Sequence, residues 1–159
     1  MKHRTTESPE MILEGQVVKG HQVASGKNLN PLFPGGSLAM QTPVLRKLGL
    51  DLSQFHPATV NVSIAPRDYK IISADVVFQD VAWHPTEPPE DFSFVKIEAR
   101  LTSDAAWTRG LIYYPHPETK PAHHQPAGLL ELLLESFIRE LNYGSEIQIR
   151  VPENKIILS

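Results

Sequence analysis

The strongest constraint on the fold of this chain is its punctuation. Fourteen prolines and nine glycines are spread along 159 residues, and each proline removes a backbone donor from any ladder it enters. Between these breaks, short runs alternate apolar and polar residues at the period of a half-buried strand. Val95, Ile97, Ala99 and Leu101 alternate with Lys96, Glu98 and Arg100. In the stretch opening His56-Pro57-Ala58, Val60, Val62 and Ile64 alternate with Thr59, Asn61 and Ser63. Short alternating strands joined by frequent turns indicate a mainly β protein.

The same pattern predicts further strands over about 11–19, 70–78, 107–114, 146–151 and 155–158. Two helices are expected between them. Thr42 reads as the cap of a short helix with Pro43 at its first position, Val44, Leu45 and Leu48 inward and Gly49 as its stop. Leu129, Leu130, Leu133, Leu134, Phe137, Ile138 and Leu141 recur at helical spacing and predict a second helix ending at Gly144. On that helix Glu131, Glu135 and Arg139 form a polar stripe, ordinarily an exposed ion-pair ladder. Trp83-His84-Pro85-Thr86-Glu87-Pro88-Pro89 is barred from any central strand. Six or seven strands with two inserted helices suit a closed or nearly closed barrel, which removes exposed edges. Residues 1–10 read as a flexible tail and 11–159 as one domain, long enough to bury a core.

Composition narrows the function. A formal charge of -3 and a pI near 6.1 argue against nucleic-acid or membrane-surface binding driven by charge. With no cysteine, disulfides, thiolate metal sites and thiol catalysis are excluded. The polar first residues do not form a signal peptide, and no stretch approaches the ~18 apolar residues of a membrane span. A cytoplasmic protein with a small-molecule partner is expected, of undetermined oligomeric state.

Two segments carry candidate chemistry. Gly20 to Gly36 has neither helix nor strand period, and loops of this length in a compact domain are usually functional or disordered. Thr59, Asn61 and Ser63 line up a hydroxyl, an amide and a hydroxyl on one strand face, which suits phosphate oxygens or a magnesium ion. An exposed strand meeting water would show the same row. Among the seven histidines, His116, His123 and His124 share a loop, but their spacing matches no ligand motif. His123, close to Lys120, is a candidate substrate contact. Neither a P-loop nor a nucleophile-elbow motif occurs.

The order of these parts resembles the archaeal CTP-dependent riboflavin kinases. A first strand, the Gly-rich loop, a short helix, the step Gly49-Leu50-Asp51 and the strand His56-Pro57-Ala58-Thr59-Val60-Asn61 carry the resemblance. It extends more weakly to Leu129-Leu130-Glu131-Leu132-Leu133 and Leu141-Asn142-Tyr143-Gly144-Ser145-Glu146-Ile147. The resemblance implies a cradle-loop β-barrel that transfers the γ-phosphoryl of CTP to the ribityl hydroxyl of riboflavin. It implies that Thr59 and Asn61 meet magnesium and phosphate. The loop residues Gly20, Ser25 and Gly26 would cradle the nucleotide, and Glu131 would act as base or ribityl contact; Lys27, apart from the resemblance, is a candidate phosphate point charge that would compensate for the altered loop. Two features depart from the family: Ala58 replaces a glycine, and the Gly-rich loop is longer and contains Pro31 and Pro34. A barrel that kept the fold and pocket but lost the chemistry, binding a flavin or nucleotide, is the alternative expectation. A metal site on the histidine loop is a third.

Overall fold

The computed structural model describes residues 9–19, 31, 35–101, 105–119, 126–136, 138 and 141–159. Its strands are β1 (Glu10–Val18), β2 (Val60–Ser63), β3 (Tyr69–Ile71), β4 (Val76–Val81), β5 (Glu90–Arg100), β6 (Thr108–Pro115), β7 (Leu129–Leu134), β8 (Glu146–Pro152) and β9 (Ile156–Leu158). The α-helix among the described residues is α1 (Ser37–Lys47).

Six strands close on themselves in the order β5-β6-β7-β2-β1-β8, every pairing antiparallel. The ring closes because β5 is long enough to pair with β6 along most of its length and with β8 at its far end, where Ala99 stands opposite Ile149. Strand β4 lies outside the ring on β5, and β3 pairs with β9 in a separate small sheet. This is the mainly β barrel expected from the alternation.

Inward-facing residues fill the barrel, as they must in one this narrow. Val62, Ile112, Leu130, Leu132, Ile149 and Val151 are fully buried there, each contributing about 1.5–3 kcal/mol of transfer free energy. Gly15 of β1 makes the tight crossing possible. A Cβ at that position would lie 2.6 Å from Val62 Cγ1 and 2.7 Å from the Ser63 carbonyl oxygen.

A second apolar layer covers one outer face of the ring. Leu38 and Leu45 of α1, followed by Leu52 and Phe55, pack on Phe92, Phe94, Leu111 and Leu133. Phe92 and Phe94 of β5, Leu111 and Tyr113 of β6 and Leu133 of β7 therefore face outward to the helix layer, while Val95, Ile112 and Leu132 face inward to the barrel core.

That double burial corrects the second expected helix. Leu129–Leu134 is strand β7, hydrogen-bonded to β2 and β6, with five of its six residues buried. A strand buried on both faces reads as a continuous apolar run, and over so short a length periodicity cannot distinguish it from a helix. The supposed stripe dissolves with it. Glu131 is buried, while Glu135 pairs with Arg109, next to β7 on strand β6, at 3.2 Å. Arg139 lies outside the described residues.

The first helix begins six residues earlier than its proline suggests. Gly35 (φ 74°) and Gly36 (φ 97°) turn the chain into it, and Ser37 opens it without a side-chain cap. Pro43 sits in its interior, and the Thr42 hydroxyl donates to the Leu38 carbonyl at 2.6 Å. Burial of Leu38 and Leu45 outweighs the local cost of that proline. Gly49 does follow the helix, at φ 111°.

The expected strand over 70–78 is two strands in two sheets. Ile72 and Ser73 donate to the Lys155 carbonyl and Asp75 donates to Phe94. The chain therefore leaves β9 before it joins β5.

Candidate functional site

The register of β2 on β7 places Asn61 directly opposite Glu131. Opposed residues in an antiparallel pair share a sheet face with Cβ atoms roughly 4.5–5.5 Å apart. Val62 and Leu130, the next pair along, point into the barrel core, so Asn61 and Glu131 face outward toward the helix layer. On the other side of β7, Ile112 pairs with Leu132. Continuing that register by one residue brings Tyr113 level with Glu131. Tyr113, Glu131 and Asn61 form one row across three neighbouring strands.

Helix α1 packs at the Tyr113 end of this row. The Tyr113 hydroxyl donates to Gln41 Oε1 at 2.6 Å, and Gln41 is only 2% exposed. Glu131 and Glu90 are both buried, and the Trp83 indole N–H donates to Glu90 Oε2 at 2.7 Å. Burial first, then the charges of Glu131 and Glu90, push the Tyr113 phenol well above its ordinary range; the Gln41 hydrogen bond opposes this. The phenol is therefore a neutral donor at any physiological pH.

Asn61 is the anomaly of the row. Its Oδ1 is buried and has no hydrogen-bond partner. A buried amide oxygen left without a donor costs about 1–3 kcal/mol. Thr59, half-buried and one residue before β2, lies two positions from Asn61. The His56 N–H donates to the Leu134 carbonyl at 2.8 Å and keeps the segment leading into β2 beside β7.

Of the residues singled out by sequence, Asn61 and Glu131 thus come together and Thr59 lies close by. Gly20, Ser25, Gly26, Lys27 and His123 fall outside the described residues. What is described of their surroundings is the exit of β1, where Val18 stands opposite Asn61, and the Gly35-Gly36 turn into α1. Gln41, Glu90 and the role of Tyr113 were not foreseen. The alternation of β6 places Tyr113 on the face opposite Ile112, but nothing local says which face meets a helix.

A second polar cluster closes one end of β5 and β6. Ser93 Oγ and His116 Nε2 are 2.6 Å apart, and His116 Nδ1 is 3.1 Å from Glu118 Oε1. The Asp91 N–H donates to Thr119 Oγ1, and the His116 N–H donates to the Asp91 carbonyl. These bonds pin the 3₁₀ turn Pro117–Thr119 to the start of β5. Among the described residues no three histidine, aspartate or glutamate side chains gather as a metal site. None of the described helices is long and apolar enough to cross a membrane.

Fold and site together define a small closed antiparallel barrel in which a buried carboxylate, Glu131, stands in register with Asn61 on the face that also carries the helix layer. Compared with known proteins, the chain matched no protein-family model and no curated protein sequence.

Proposed function

We propose that this barrel is a riboflavin-kinase-like phosphotransferase. It moves a phosphoryl group from a nucleoside triphosphate, CTP by the resemblance, to riboflavin or a similar small hydroxyl acceptor. The observation that carries this reading is the register of β2 on β7, which sets Asn61, with its buried and donorless Oδ1, opposite the buried Glu131. They are two of the residues the resemblance singles out, from segments about seventy positions apart.

The donor set fits magnesium. The ion takes a few oxygen ligands from protein and keeps several waters, and Asn61 Oδ1 is a buried oxygen lacking a donor. Asn61 and Thr59 would hold it. When bound there, magnesium supplies neutralisation of charge on the phosphate oxygens, the main requirement of phosphoryl transfer beyond positioning.

Glu131 takes the proton of the acceptor hydroxyl as that oxygen forms its bond to phosphorus and the bond to the nucleoside diphosphate breaks. Its burial limits competing water. Gly20, Ser25, Gly26 and Lys27 receive the nucleotide in this reading, and His123 contacts the substrate. Such chemistry belongs with the nucleotide pool of the cytoplasm.

The test is chromatographic detection of FMN from riboflavin with CTP, ATP, GTP or UTP, with magnesium and with EDTA. Magnesium-dependent FMN, lost in Asn61→Ala and Glu131→Gln, is expected. Folded protein that forms no FMN with any nucleotide overturns the kinase reading and leaves a non-catalytic flavin- or nucleotide-binding barrel.

A further inference from the structure

The side chains that pin the Pro117–Thr119 turn also form a relay. His116 Nδ1 is 3.1 Å from Glu118 Oε1, and His116 Nε2 is 2.6 Å from Ser93 Oγ. The direction of both bonds follows from their chemistry. A backbone hydrogen bond first, and then His116, hold the Glu118 carboxyl below its usual range. It is therefore ionised at neutral pH and only accepts, so Nδ1 carries the imidazole proton. In the neutral ring Nε2 is then a bare acceptor, and the Ser93 hydroxyl donates to it. A hydroxyl donating to a histidine whose other nitrogen is held by a carboxylate is the arrangement of an activated nucleophile.

Burial falls outward along the relay. Ser93 is 4% exposed, His116 keeps 24% of its side chain exposed, and Glu118 is exposed. Ser93 stands in register between Val77 of β4 and Tyr114 of β6. Val77 is exposed, and the Tyr114 ring meets that of His116 edge-on at 5.3 Å between centroids. These two residues give the serine an apolar flank, open to solvent at Val77 and suited to a flat ring.

We propose that Ser93 is a nucleophile towards small activated esters of aromatic alcohols, with His116 as its general base and Glu118 positioning the ring. The Ser93 oxygen forms a bond to the acyl carbon while its proton passes to His116 Nε2. The bond to the aryloxide breaks, and the imidazolium returns that proton to the leaving oxygen. Water, deprotonated by the same imidazole, then releases the carboxylic acid and restores Ser93. At this position β5 is paired on both sides, so its backbone N–H groups are committed to the ladder and give the oxyanion no help. A good leaving group is needed for that reason, which sets the substrate class. This activity uses neither nucleotide nor magnesium and does not rest on the phosphotransferase reading.

The test uses diisopropyl fluorophosphate and p-nitrophenyl acetate on the whole protein. A single diisopropylphosphoryl group is expected, on Ser93, read by mass spectrometry of its peptide. Ester hydrolysis is expected to fall by about 100-fold in Ser93→Ala and in His116→Gln. No label on Ser93 of the folded wild-type protein overturns the proposal, as does hydrolysis that survives Ser93→Ala. Labelling is read on the unaltered chain, so it decides even if a variant fails to fold. Nitrogen NMR of the His116 ring reads the tautomer directly. The proton is expected on Nδ1, moving towards Nε2 in Glu118→Ala as ester hydrolysis falls. A wild-type ring protonated on Nε2 overturns the proposal, and an unchanged tautomer in Glu118→Ala removes Glu118 from it.

Discussion

Asn61 and Glu131 stand opposite each other on β2 and β7, and the amide oxygen of Asn61 has no donor. A position used only for packing would not keep an orphaned acceptor. Asn61→Val suits a strand and removes the amide. It is expected to stabilise the protein by about 1 kcal/mol, read as a higher urea midpoint with unchanged m, while abolishing magnesium-dependent turnover. A destabilised variant would show that the amide oxygen is satisfied in solution.

The closeness of β1 to β2 depends on Gly15. Its missing Cβ leaves room for Val62 Cγ1 and for the Ser63 carbonyl, which is backbone and cannot rotate away. Gly15→Ala is expected to destabilise by about 1–3 kcal/mol, the usual cost of overpacking. Thermal unfolding measures it. A neutral result would mean that the ring opens slightly at this crossing without loss.

Alkaline pH should weaken the fold through Tyr113. Its phenol is raised in the folded state by burial, Glu131 and Glu90, whereas in the unfolded chain it titrates near pH ~10. The stabilisation is fully present below pH ~10 and is lost above it, at about 1.4 kcal/mol per pH unit. Tyr69, raised chiefly by burial, acts in the same direction. Tyr113→Phe should make the decline above pH ~10 shallower by one group, as measured by denaturant titration at several pH values.

Glu90 keeps its carboxylate buried partly through Trp83, whose indole N–H donates at 2.7 Å. Trp83→Phe retains a ring but removes that donor. A loss of about 1–3 kcal/mol is expected, with Leu111→Val on the same outer face as a packing control. Equal effects of the two would assign the whole loss at Trp83 to volume.

The barrel itself was legible in the residues. Alternation in β1, β5, β6 and β8 marks strands half or wholly committed to one core, and the prolines of 83–89 mark where no strand can run. Both signals are local, so the chain displays them without knowing its partners. Thr59, Asn61 and Glu131 were singled out through the resemblance of the surrounding motifs, and the register sets the last two opposite each other.

What the chain could not display was pairing. Leu129–Leu134 has the composition of a helix or of a doubly buried strand, and only β2 and β6 on its flanks and α1 above it decide which. Pro43 marks a helix start by every local rule, yet the burial of Leu38 and Leu45 draws the helix back to Ser37. By itself, the sequence determined a turn-rich β chain with an irregular glycine segment after its first strand. Tertiary structure alone decided that Asn61 stands opposite Glu131 and that Gln41 reaches Tyr113, because register and helix docking are set by contacts between segments far apart in the chain.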